Sequence, residues 1–471
     1  MKRFTLEQPA LFTKDMKATH TILVPQMLPI HFAIMKSVLV DSGYRVDIID
    51  QAGTEIAQTG LRYVHNDTCY PALLIIGQLI STLQSGAYDL DHVALMIPQS
   101  GGGCRASNYI HLLRKALHKA GLEHIPVISF NMNLGGKNGI ESAPGFTLSP
   151  MLLVKLAAAM IFGDELMSLG NQVRPYEASE GETDKVLNQW IEEINTLLRR
   201  NYGYWPWQMK RLATRIAQSF AAIAVRDVQR TKVGVVGEIY VRYSSLGNNG
   251  LEEFLQNQDC ECCIPGVLGY LMFSVDMRLE DIRAYGGSSL KYAAINGCLS
   301  YLAWIENMLI SAIGQTSLQP PTPYQHKREL VDGIIGHGSK MGEGWMLTAE
   351  MLELIEQGYS NIVCAQPFGC LPNHINGRGM MNRVKEVQPQ ANIVAVDYDP
   401  GAPRVNQENR IMLMLAGARQ EVGSRQEEQQ ANRAELFAEA LRRQQERLKK
   451  IPELLSNPVL NSLHGDNSSD E

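Results

Sequence analysis

The chain has 471 residues, enough for two or three domains with sizeable cores. Hydrophobic residues make up 45% and charged residues 20%, the composition of a globular protein that folds around apolar cores. A net charge of -6, from 43 Lys and Arg against 49 Asp and Glu, leaves no basic footprint for nucleic acid. The opening MKRFTLEQ is no secretory signal, and the longest apolar run, Met151–Phe162, is too short to span a bilayer, so a cytoplasmic protein with no membrane partner is expected.

In chain order, Thr21–Val24 and Arg45–Asp50 read as strands, with a helix over Ile30–Asp41 between them and Gly43 as its stop. Val93–Ile97 and Ile125–Phe130 repeat the pattern around a helix from about Ser107 to Ala120, closed by Gly121. Nearly all-apolar strands alternating with helices predict a parallel sheet covered on both faces. Residues 166–230 carry apolar positions at helical spacing, as in Val186–Leu198, and read as a helical connector. The alternation resumes with a strand from Lys232 to Val241, a helix over Leu251–Asn257 and a strand at Cys260–Ile264. Strands at Asn361–Ala365 and Asn392–Asp397 flank a helix near Met380–Glu386. The expected class is therefore α/β, with two flavodoxin-like, doubly wound parallel-sheet domains, 1–165 and 231–419, joined by the connector 166–230. From about residue 420 to 471 a Gln-, Arg- and Glu-rich helix runs into a polar, acidic tail expected to be disordered.

The stretch Gln99–Ile110 (QSGGGCRASNYI) stands between a strand and a helix. Gly101, Gly103 and Ala106 match the spacing of a dinucleotide loop. Against that reading, the next strand runs into Asn131-Met132-Asn133 where an acid should hold the ribose, and the loop follows a third strand rather than a first. No Lys-Ser/Thr follows, so a Walker loop is excluded. A plain tight turn is the alternative.

Eight cysteines in a reducing compartment are not expected to form disulfides. Cys69, Cys104, Cys364 and Cys370 lie at strand ends or helix starts, where ligands bind in doubly wound sheets and where backbone N–H groups favour thiolates. Sulfur-only ligation suits zinc or an iron–sulfur cluster. Five residues separate Cys364 from Cys370 and the other two are distant, which is unlike the paired spacing of structural zinc. Cys260, Cys262, Cys263 and Cys298 read as core or helix residues.

The segments Asn66–Ala72 (NDTCYPA), Gln99–Tyr109, Gly237–Arg242 (GEIYVR), Gly342–Glu350 (GEGWMLTAE), Gln366–His374 (QPFGCLPNH), Asp397–Ala402 and Val405–Arg410 together resemble the 2-hydroxyacyl-CoA dehydratase superfamily. The likeness is closest to the carboxyl-terminal part of the acyl-CoA dehydratase activase-related proteins and covers roughly residues 10–415. It implies flavodoxin-like subdomains and a [4Fe–4S] cluster, replaced in some relatives by a double cubane, with Cys69, Cys104, Cys364 and Cys370 as the metal ligands. It also implies a low-potential electron from an ATP-dependent activator and radical dehydration of a 2-hydroxyacyl-CoA. This chain has no ATPase segment, so the activator would act in trans, and a second dehydratase-like subunit is a further expected partner. The substrate is an acyl-CoA or another small molecule.

Gly101, Gly102 and Gly103 would bring backbone amides close to the inorganic sulfides, and Arg105 would balance thiolate charge or meet a CoA phosphate. Glu238 and His374 are the candidate proton-transfer residues, with Glu343 a further carboxylate of that kind. Each also has a structural reading, as a scaffold hydrogen-bonding group or a loop cap. A cluster-carrying electron-transfer subunit and a metal-free CoA- or nucleotide-binding protein are the competing functions.

Overall fold

The computed structural model describes residues 9–99, 103–131 and 143–420. Two four-stranded sheets, every pairing parallel, organise Met1–Met414, which form one compact unit. Leu415–Glu471 form a second unit, of which residues 415–420 are described and helical. The expected tail beyond them, and Gly101 and Gly102, lie outside the described residues.

The first sheet contains β1 (Thr21–Pro25), β2 (Arg45–Ile49), β3 (Val93–Gln99) and β4 (Val127–Asn131), in the order β2-β1-β3-β4. The second contains β5 (Thr231–Gly237), β6 (Cys260–Cys263), β7 (Asn361–Pro367) and β8 (Asn392–Tyr398), in the equivalent order β6-β5-β7-β8. Both orders reverse direction between the first and third strands of their sheet, the flavodoxin-like arrangement, so the α/β expectation holds.

Strand alternation explains the double burial. Ile22, Ala94 and Ile128 join the core that holds Ile34, Val38 and Phe162, while their neighbours Leu23 and Leu95 are equally buried and point the other way. The Tyr70–Gln84 helix packs on β1 and is buried from Tyr70 through Ile80, which is why its sequence is apolar on all sides.

Two features differ from the pattern read along the chain. The strand expected to reach Val241 ends at Gly237, whose φ is +143° and where a Cβ would lie 2.3 Å from the Ala365 carbonyl oxygen. There the chain turns into a short helix, Ile239–Tyr243. Between β6 and β7 stand four helices, Val267–Tyr285, Ser289–Ile313, Tyr324–Leu330 and Met346–Glu356; the first packs on the long helix Pro150–Val173, the second on the connector helix Pro206–Ala221, and the last two on each other. That long helix runs through residue 165, so the expected first boundary falls inside a continuous element. Asp164 ties the parts together: it accepts from the N–H groups of Val267 (2.8 Å) and Leu268 (2.7 Å), and the His31 ring lies 2.9 Å away. A carboxylate at a helix N-terminus also meets the favourable end of its dipole.

Candidate functional site

In parallel sheets of this order, the crevice opens beyond the carboxyl ends of the strands at the reversal. Glu238 directly follows β5, Cys370 follows β7 and Cys104 follows β3. Cys69 caps the helix that begins at Tyr70. The two halves touch here: Tyr70 N–H donates to the Phe368 carbonyl at 3.0 Å, and a Cβ on Gly369 would stand 3.1 Å from the Cys69 Cα. Gly369 has φ +70°, so its backbone needs glycine on both counts.

Cys69, Cys104 and Cys370 occupy the same local position. Each immediately precedes a turn of helix, and its sulfur is stabilised as the thiolate by a backbone N–H two or three residues on: Ala72, Ala106 and Asn373 respectively. Burial outweighs that help. It raises the Cys69 thiol, pushes Cys104 up to about 11 and raises Cys370 further. The Tyr109 hydroxyl lies 3.2 Å from Cys69 Sγ. The three sulfurs also share neighbours: Cys69 and Cys104 interact with each other, Cys370 with Cys104, and all three feel Glu238.

Two carboxylates complete the group. Glu238 accepts from Val241 N–H at 3.0 Å and Glu343 from Ile239 N–H at 2.7 Å, so both cap the same short helix. Desolvation raises both carboxyls, and the proximity of Glu343 raises Glu238 further. Such a pair favours holding one proton between two oxygen centres. Behind them, buried Arg242 pairs with Glu350 at 2.5 Å and donates to the Tyr243 hydroxyl at 3.0 Å. This places a permanent positive charge where it partly offsets Glu343.

Cys364 stands apart. It lies within β7, paired in register with Val236 and Ala395, and is wholly buried in the core. Its sulfur is 3.5 Å from Asn373 Oδ1, and its charged neighbours are Arg378 and Asp397 rather than the other thiols. Proximity of Cys364 and Cys370 along the chain thus does not give them a common environment, because strand alternation aims Cys364 into the core. His374 is exposed, one helical step beyond Cys370, to whose carbonyl its N–H donates at 3.1 Å. Arg105 is exposed and close enough to Cys69 to favour its thiolate. Gly103 brings its loop against the second half, since a Cβ there would meet Met341 Sδ at 2.3 Å. Tyr109 and the Arg242–Glu350 pair were not singled out for function in the sequence. An ion pair buried between GEIYVR and GEGWMLTAE leaves no local signature, although both partners lie inside those motifs.

Among the described residues, no three of His, Cys, Asp and Glu converge tightly enough to hold one metal ion. A cubane makes a different demand, since each thiolate bonds its own iron at a separate corner. The donor set fits that demand in kind: three thiols free of disulfides, each favoured as thiolate by a backbone N–H, in surroundings that disfavour thiolate unless a cation is present. No protein-family model matches the chain, and no curated protein matches it.

Proposed function

We propose that the chain is an iron–sulfur protein of the 2-hydroxyacyl-CoA dehydratase type, in which Cys69, Cys104 and Cys370 hold a [4Fe–4S] cluster. The observation that carries this reading is the repeated geometry of these three thiols, each before a helical turn and all beside Glu238. Three cysteines leave one corner of a cubane without a protein sulfur. When bound, such a cluster supplies one electron at low potential, received from an ATP-dependent activator in trans.

The residues of the chain do the rest. The Ala72, Ala106 and Asn373 amides steady the thiolates. Glu238, its carboxyl pushed up to about 8 by burial and by the proximity of Glu343, holds a proton at neutral pH and, as the more exposed of the two acids, donates it to a hydroxyl that departs as water. Arg242 keeps Glu343 from drifting further toward neutrality. Exposed Phe368 and Leu371, flanking Cys370, give the activator or a second subunit an apolar place to dock.

Anaerobic purification tests the reading. A brown protein with about four irons per chain is expected, and a colourless, folded, iron-free one overturns it. Addition of reduced activator, ATP and a panel of 2-hydroxyacyl-CoAs then reports on the enzyme through enoyl-CoA formation.

A further inference from the structure

A cavity of about 90 Å³ lies where the long helix Pro150–Val173 meets the end of β6 and the helical insert. It is several times larger than the roughly 10–15 Å³ that one water molecule requires. None of Cys69, Cys104 and Cys370 lines it, so it is distinct from the candidate cluster site. Its walls are largely apolar, with Leu268, Leu309, Ile313 and Pro320 among them.

The charged groups at the wall are unequal in their commitments. Glu306 receives the Tyr324 N–H on both oxygens, at 3.0 and 2.9 Å. Lys327 and Glu353 form a buried ion pair at 3.0 Å. Asp164 is taken by the Val267 and Leu268 amides and by His31. Glu165 is different: it is 3% exposed, and neither carboxylate oxygen has a hydrogen-bond partner. Burial pushes its carboxyl up to about 8. Four carboxylates, Asp164, Glu165, Glu306 and Glu353, therefore stand at the wall against one cation, Lys327, and Glu165 is the one with no partner on either oxygen.

A ligand that answers this geometry has several N–H donors, one positive charge and a short apolar body. A carboxylate accepts at about four lone-pair sites and an alkylammonium offers three donors. A buried charge of one sign is stable only when paired and hydrogen-bonded. Among the described residues no three of His, Cys, Asp and Glu converge to hold a metal ion, which favours an organic cation over a metal. We propose that this cavity binds a small primary alkylammonium, its charged head on Glu165 and its alkyl body against Leu309 and Ile313.

The proposal does not depend on the iron–sulfur reading and is tested on the full-length protein with n-propylammonium chloride. Calorimetric titration near neutral pH, in two buffers of different ionisation enthalpy, should show saturable binding accompanied by proton release. The released proton comes from Glu165, which ionises as the cation pairs with it. Glu165→Gln should weaken binding by about tenfold or more and abolish the proton release, while far-ultraviolet circular dichroism stays unchanged. Leu309→Phe fills the space, leaves the carboxyl in place and should also weaken binding, so the test survives if the first variant folds poorly. Neutral n-propanol should not compete. Absence of saturable binding, equal binding by Glu165→Gln and Leu309→Phe, or equal binding of n-propanol would each overturn the assignment.

Discussion

Two groups of cysteines in this molecule look alike by burial and differ in what surrounds them. Burial pushes Cys104 up to about 11, Cys263 up to about 12 and Cys262 well above its ordinary value. Cys260, Cys262 and Cys263 lie along β6, where short side chains fill the sheet next to Thr231, Val233 and Gly234 of β5. Cys69, Cys104 and Cys370 instead precede helical turns, each with a backbone N–H aimed at its sulfur and all within reach of the same acid. Burial alone does not make a thiol a ligand. What sets the second group apart is the backbone N–H donors at its helical turns and, at Cys69, the nearby Arg105 cation, which favour the thiolate against the acid.

The sharpest way to break that comparison is to exchange the roles. Cys104→Ala and Cys370→Ala should strip most of the iron from anaerobically purified protein, whereas Cys262→Ala should retain it, as read by iron content per chain. Iron retained in the first two variants contradicts the ligand assignment. Next in size, Glu238→Gln should keep the iron but lower turnover by about 100-fold, because the proton donor is lost while the thiols remain. Undiminished enoyl-CoA formation would remove Glu238 from the proposed chemistry.

Cys364→Ala sharpens the boundary between the two groups. It should retain iron and lose about 1–2 kcal/mol of stability in urea, the cost of a small cavity in a packed core. Loss of iron would instead bring Cys364 into the ligand set. The smallest and broadest effect concerns a buried acid remote from this chemistry. The Glu165 carboxyl rises from the ordinary 4.5 to about 8, so the folded state binds more protons than the unfolded chain between those values. Its contribution to stability is full below about 4.5 and lost as pH rises through about 8, the reverse of a salt-bridged carboxylate. Thermal unfolding followed across that range should show a shallower decline in Glu165→Gln. An unchanged slope would mean that other groups set the pH dependence.

Much of the fold was legible. Apolar runs at Val93–Ile97 and Asn361–Ala365, punctuated by Gly43 and Gly121, carry the strand–helix alternation, and the sheets follow it. The misplaced strand end at Gly237 shows the limit: Ile239, Tyr240 and Val241 all favour strands, yet a close approach by the Ala365 carbonyl turns the chain there. Asp164-Glu165, two acids inside an apolar helix, carried a signal that something polar is buried, but nothing local tells which of them caps a distant helix and which is left unsatisfied.

From the order of residues alone come the periodicities, the turns and the location of thiols at the ends of elements, because these depend on contacts within a few residues. Which thiols share a neighbourhood, that Glu238 and Glu343 cap one helix from 105 positions apart, and that Arg242 neutralises Glu350 required the packed chain. The physical reason is range: backbone preferences act locally, whereas desolvation and charge act through space, between groups that only folding brings together.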